Sequence, residues 1–258
     1  MASSMAHGVF NNGWSVRTPH PHLVSNKPDI RSWAADTSLG TLSEEALQAL
    51  ESLMSIVDYE SGSILFLEQE PLNRVFVVLA GDVRLSLQDV GGKRLTLRIV
   101  KRGAVLGAHS ALFASPSEWS ADTFYACKIA LITRGDFLRL SQRFPEVYRL
   151  ATVELMTTLG HACSTLRIVG LSSCTRRRLA SQLLEWGERG NKTGDQTRFC
   201  MTLSHAQIAE YIGAVRETVT RALTTFKERG LVTIRGSMLT ILSTTALREY
   251  AEHGFRDE

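Results

Sequence analysis

The sequence predicts an α+β protein: an N-terminal antiparallel β-roll, a long dimerisation helix and a C-terminal winged helix-turn-helix. Three observations carry this. From Asp58 to about Leu138, short apolar runs alternate with turn residues. From Pro145 to Val169, apolar residues recur at steps of four and three. Beyond Leu203, two amphipathic helix-length stretches meet at Gly213 and lead into a tight hairpin pattern.

The 258 residues suit a chain of two domains. The expected divisions are an extension at 1–40, the roll at 41–144, the dimerisation helix and hinge at 145–173, and the winged helix-turn-helix at 174–258. The extension holds three of the six prolines and three of the seven histidines without an amphipathic period, so it reads as a flexible arm. His20 and His22 flank Pro21, too few ligands for a metal site. Ser43 then caps a short helix whose Ala46, Leu47, Leu50, Leu53 and Met54 share a face.

The clearest strands are Ile64–Leu67, Val75–Leu79, Val83–Leu87 and Leu95–Val100, with Gly81-Asp82 and Gly91-Gly92 as turns. Many short strands at near-regular spacing make a small barrel or roll. Pro145 suits the first turn of the next helix. On it Tyr148, Thr152, Leu155, Leu159, Ala162, Leu166 and Val169 form a heptad seam, which fits a parallel coiled coil between two copies. The stretch from Gly170 to Cys174 breaks that helix, and another begins near Arg178.

In the C-terminal part, Ile208, Ala209 and Ile212 give the helix from Leu203 to Ile212 an apolar face. A second helix from about Val215 to Lys227 buries Val219, Leu223 and Phe226. Arg216, Glu217, Thr220 and Arg221 are left on its other side. The first turns of a recognition helix reach base edges in the major groove. There arginine donates twice to guanine and glutamate accepts from cytosine. Gly230 ends the helix, and Leu231–Ile234, Arg235-Gly236-Ser237 and Met238–Leu242 read as a hairpin whose tip lies along phosphates. From Cys174 onward 13 Lys and Arg face 10 Asp and Glu, while the rest of the chain carries 16 of each. The excess positive charge therefore sits where a nucleic-acid footprint needs it.

The run from Leu203 to Leu242 resembles the DNA-binding domain of the CRP/FNR superfamily of bacterial transcription regulators, whose signature is carried by Arg216-Glu217-Thr218-Val219-Thr220-Arg221. The resemblance implies that Arg216 and Arg221 read guanines and Glu217 a cytosine in a TGTGA-like half-site, with Thr220 on the base-reading face. It further implies that Ser204, His205 and Thr218 contact phosphate. Double-stranded DNA, a second copy of the chain and, for an activator, RNA polymerase are the implied partners. Val215 departs from the family, which usually has Ser or Thr as the helix N-cap; the lost oxygen costs about 0.5–2 kcal/mol.

Val77-Val78-Leu79-Ala80-Gly81-Asp82-Val83 resembles the third and fourth strands of the family's cyclic-nucleotide-binding roll. The resemblance places an effector pocket at Gly107, Ala108, His109, Trp119 and Ser120, with Cys163 and Ser164 reaching in from the long helix. Members that bind cyclic AMP carry a glutamate where Ala108 stands and an arginine where Trp119 stands. Each lost charge-assisted hydrogen bond is worth about 1.5–3 kcal/mol, so cyclic AMP is not expected in the usual pose. No cofactor or metal is expected. His109 alone reads as packing, and the four isolated cysteines, with none before Cys127, match no cluster motif and read as buried small hydrophobes.

Two alternatives stand beside the DNA-binding regulator. One is a regulator answering cyclic nucleotide or another small ligand through an altered pocket. The other is a roll used for protein interaction, with a vestigial reader. No nucleophile elbow, P-loop or zinc-protease motif is present, so an enzyme is not expected. The longest apolar run, Val75–Ala80, is far too short for a membrane span, and the N-terminus lacks a basic-then-apolar leader. A cytoplasmic protein without a membrane partner is the expectation.

Overall fold

Two antiparallel four-stranded sheets face each other in the N-terminal half of the computed structural model, which describes residue 30 and residues 34–172 and 174–254. The strands are β1 (Ser55–Tyr59), β2 (Ile64–Phe66), β3 (Arg74–Ala80), β4 (Val83–Gln88), β5 (Arg94–Val100), β6 (Val105–Leu106), β7 (Ser120–Thr123) and β8 (Cys127–Thr133). Their orders are β1-β8-β3-β6 and β2-β7-β4-β5, the interleaving expected of a roll rather than a meander. Every predicted run is a strand, because β-branched and aromatic residues suit a pleated buried surface.

Helix α1 (Glu44–Ser52) is capped by Ser43, whose hydroxyl accepts from the Ala46 N–H. Ahead of it the structure corrects the expected flexible arm. Ser38–Thr41 form a 3-10 turn capped by Thr37, and Ile30, Ala34 and Leu39 are buried in one core with Leu50, Val147 and Leu150. Those apolar side chains belong to the core of the N-terminal half rather than to a loose arm. The rest of the arm, residues 1–29 and 31–33 with His20 and His22, lies outside the described residues.

Short helix α2 (Ala108–Phe113) sits between β6 and β7, and α3 (Arg134–Arg143) follows β8. The long helix α4 (Glu146–Leu171) starts directly after Pro145. It buries Val147, Leu150 and Ala151 against the roll. On its outer side Tyr148, Leu159 and Leu166 are 44%, 49% and 65% exposed. Gly170 and Leu171 stay helical, so the break comes later than expected.

The C-terminal domain begins with α5 (Thr175–Gly187), three residues ahead of the expected start, and Cys174 at its N-cap makes no side-chain capping bond. It continues through β9 (Asn191–Thr193), β10 (Gln196–Cys200), α6 (His205–Ile212), α7 (Arg216–Glu228), β11 (Val232–Arg235), β12 (Met238–Ile241) and α8 (Thr244–His253). The hairpin is wider than its sequence suggests: β9 and β10 extend it to a four-stranded sheet ordered β11-β12-β10-β9. Leu179, Leu183, Ile208, Val219, Leu223, Phe226, Leu239 and Leu247 form its core.

The two domains meet through α6 and β5, where Ile99 packs on the C-terminal core. Arg84 on β4 is the polar centre of this contact. Its Nη2 and Nε donate to the Asp122 carboxylate of β7 at 2.6 and 3.2 Å, and its Nη1 donates to Glu210 Oε2 of α6 at 2.6 Å. Thr96 Oγ1 donates to the same Glu210 oxygen at 3.3 Å, and Lys93 Nζ donates to the Gly213 carbonyl at 3.3 Å. Burial pushes the Asp122 and Glu210 carboxyls above the ordinary carboxylate range, and the Arg84 charge pulls both back only in part. Breaking a buried pair by removing one partner costs far more than replacing both. Arg84→Met should therefore lower unfolding free energy by about 3–5 kcal/mol in urea denaturation. Adding both Asp122→Leu and Glu210→Gln to it should recover much of that loss; a triple variant as unstable as the single one would contradict this account.

Candidate nucleic-acid interface and effector pocket

Ser204 opens α6 with a reciprocal cap: its hydroxyl accepts from the Gln207 N–H at 3.3 Å, and its own N–H donates to Gln207 Oε1 at 2.8 Å. Gly213 closes the helix in the left-handed region, φ +61°. A Cβ there would also stand 3.1 Å from Val169 Cγ1 of α4, so glycine is favoured on two grounds. The bend sets α7 across α6. Val219, Ala222, Leu223 and Phe226 of α7 face the core. Gly230, φ +67°, follows the helix end as expected.

The opposite face carries Arg216, Glu217, Thr220 and Arg221, all exposed, with Thr218 half-buried. None of these five side chains forms an ion pair among the described residues. Thr220 is less open than the others: its hydroxyl donates to the Arg216 carbonyl at 3.1 Å and lies 2.8 Å from His205 Nδ1. That contact ties the start of α6 to the second turn of α7. The wing comes in beside them, with Arg235 exposed next to the Gly236-Ser237 turn, and the Ser237 carbonyl accepts from the Met201 N–H at 2.7 Å.

Gly107, Ala108, His109 and Trp119 do surround one cavity, together with Leu85, Glu154, Leu155 and Thr158, but it encloses only about 10 Å³. That is scarcely the room of one water. The Trp119 ring packs on His109 at 5.1 Å and 46°. His109 Nε2 is 2.8 Å from the Glu118 carboxylate and 3.2 Å from Ser110 Oγ. Ser120 Oγ accepts from the Glu68 N–H at 2.9 Å, which ties it to the loop after β2. Three expected members, Ser120, Cys163 and Ser164, do not line the cavity. Cys163 is exposed and Ser164 half-buried, and α4 instead sends Ala151, Glu154, Leu155 and Thr158 to the cavity, one to three turns earlier. Leu155, expected on the seam, thus turns partly inward.

The expectation of buried cysteines holds for Cys127 alone. Burial pushes its thiol up to about 11, whereas Cys163 and Cys200 are exposed and Cys174 is half-buried. The Arg84–Glu210 bridge escaped sequence reading altogether. Strand alternation sends Arg84 and Ser86 to the outer face of β4, where water is the default, yet both are buried, Arg84 against Glu210 of α6. No helix among the described residues is long and apolar enough to cross a membrane.

The cyclic nucleotide-binding domain family matches residues 56–144, and the Crp-like helix-turn-helix domain family matches residues 177–250. Together they span more than half of the chain. The CRP-like cAMP-activated global transcriptional regulator of Mycobacterium tuberculosis is 28% identical over 207 residues, which cover 80% of this chain and 92% of that one. The global nitrogen regulator of Synechococcus elongatus is 26% identical over 208 residues, 76% of this chain and 89% of that one. A solved structure of a CooA mutant from Carboxydothermus hydrogenoformans has the same fold, with a TM-score of 0.68 at 20% identity over 89% of this chain and 98% of that one.

Val215 occupies the N-cap of α7 with φ −106° and ψ 153°, the geometry of a capping residue, but offers no acceptor. It is 59% exposed, so nothing is lost from the core by replacing it. Val215→Ser should stabilise the protein by about 0.5–1 kcal/mol in urea denaturation. An unchanged or lower midpoint would mean that the α7 N–H groups are already satisfied.

Proposed function

Because the chain belongs to the CRP/FNR superfamily of transcription regulators, we propose that it acts as a homodimer on a TGTGA-like palindrome without requiring cyclic AMP. The observation that carries this is the open Arg216, Glu217 and Arg221 face on the first two turns of α7, where base edges are met. Arg216 and Arg221 each present a planar fork to guanine O6 and N7, and Glu217 accepts from a cytosine amino group. Thr220 borders the same bases. Ser204 and His205, at the positive end of α6, and Thr218, in the first turn of α7, are positioned to hold phosphate.

The homodimer reading rests on the outer stripe of α4. Leu159 and Leu166 stand about half and two-thirds exposed, with Leu155 and Ala162 half-buried on the same side. Such a stripe at heptad spacing suits a second copy in register. Two recognition helices then meet half-sites about one DNA turn apart.

Independence from cyclic AMP rests on the filled cavity. A nucleotide site needs some hundreds of Å³, and here about 10 Å³ remains beneath Trp119. The Glu118 carboxylate beside His109 also adds negative charge where a cyclic phosphate would need positive. The relatives named as cyclic-AMP-activated therefore share the architecture without lending their effector.

Fluorescence anisotropy on a duplex with two inverted TGTGA half-sites should show tight, salt-sensitive binding that cyclic AMP does not change. Arg221→Ala should weaken it by about 1–3 kcal/mol and relax preference at one base pair. Binding that requires cyclic AMP would overturn the effector reading, and binding indifferent to sequence would overturn the base-reading roles. The double substitution Leu159→Glu, Leu166→Glu should sediment as a monomer and lose the palindrome. A dimer surviving it would place the interface elsewhere.

A further inference from the structure

Ligand-sized space lies where the roll meets the C-terminal domain, beside the filled pocket, with which the larger cavity shares Glu154. Two adjoining cavities of about 660 and 390 Å³ open there. Both sizes fall in the range of small-molecule sites, which favour domain interfaces. The residues lining both cavities are Ile99 and Lys101 from the roll, and Trp186 and Arg189 from the C-terminal domain. That shared wall therefore offers an indole, an isoleucine, two cations and no acid.

Two of the acids around this wall are engaged by other side chains. Glu154, an acid of the larger cavity, is engaged by Arg98 at 3.6 Å and by Ser38, and Glu185 accepts from Gln182 Nε2 at 3.3 Å. Lys101 and Arg189 form no ion pair among the described residues. Next to them, burial and then the charges of Arg98 and Arg189 hold the His161 imidazole below its ordinary range. Across both cavities the acids Asp36, Asp82, Glu154, Glu185 and Glu188 stand against Arg98, Lys101, Arg102 and Arg189, so the positive character is confined to the shared wall. Aromatic surface borders that wall: Trp186 is set edge-on to Tyr211 at 5.1 Å and 87°, and the smaller cavity adds Phe124, Tyr125 and Phe199.

We propose that this cleft binds a small planar aromatic anion, its ring against Trp186 and its carboxylate or phosphate between Lys101 and Arg189. Such a ligand touches both domains at once, so its affinity depends on how they are docked. That dependence is what allows a ligand to shift a conformational equilibrium. The site itself stands on the cleft alone; only its consequence for DNA affinity rests on the regulator reading.

Isothermal titration of the full-length protein with phenyl phosphate, salicylate and neutral benzamide tests this. The two anions should saturate at one per chain and benzamide should not. R189A and K101A, both at exposed positions, should each weaken anion binding about tenfold or more, with R189K recovering part of it. Absence of saturable binding by either anion at about 10 mM overturns the proposal. So does equal binding of benzamide, or anion binding that R189A and K101A leave unchanged. DNA affinity of the same unliganded preparation separates the two readings. Lost DNA binding with intact anion binding sinks the regulator reading, and the reverse sinks the site.

Discussion

One buried guanidinium holds the two halves of this protein in their mutual arrangement. Arg84 leaves β4 between Asp122 of its own sheet and Glu210 of α6, the helix on which α7 packs. Desolvation makes such a cluster expensive, and complete pairing is what makes it tolerable. The geometry is correspondingly restrictive. Asp122 takes the guanidinium in a two-pronged grip, which leaves the remaining nitrogen a narrow range of directions in which to meet Glu210. The orientation of α6, and with it that of α7, follows from where Arg84 points.

This bridge also joins the altered pocket to the reader. Strand β7 begins at Ser120, directly after Trp119, and Asp122 lies two residues further on the same strand. Trp119 and Asp122, the residue that grips Arg84, thus lie three positions apart on one segment. A family pocket plugged by tryptophan need not be inert. The plug rests on His109, which is held by Glu118 and Ser110, so the whole assembly is packed as structure rather than left open as a site.

What the sequence made legible is what repeats locally. The helix cap at Ser43, the apolar runs of β3 to β5, the glycine bend at 213 and the buried face of α7 are all written in residues a few positions apart. The pattern Arg216 to Arg221 needed no tertiary context, because a helix presents its own faces. The misses are long-range. Arg84 and Glu210 are separated by 126 positions, and no local pattern distinguishes a covered polar face from a wet one. Leu39 reads as part of a loose tail until the surface it covers is known. Residues Asn191–Thr193 are all exposed and polar, so the edge strand they form is recruited by its neighbour rather than by its own composition. The register of α4 over the pocket was misjudged for the same reason: periodicity names the inward face but not the level at which the roll meets it.

Helix α4 is where these threads meet. It lines the filled pocket through Leu155 and Thr158, and from the same level onward it lines the interdomain cleft through Glu154, Thr157, His161 and Thr165. Near its end Val169 stands against Gly213, the bend between α6 and α7. Its outer stripe is open to a second copy over the same span. A continuous helix transmits a shift along its axis with little loss, since its backbone hydrogen bonds leave few soft degrees of freedom. Gly213, held in the left-handed region with little room for a Cβ beside Val169, is where this helix meets the bend between α6 and α7. Helix α7 begins three residues beyond.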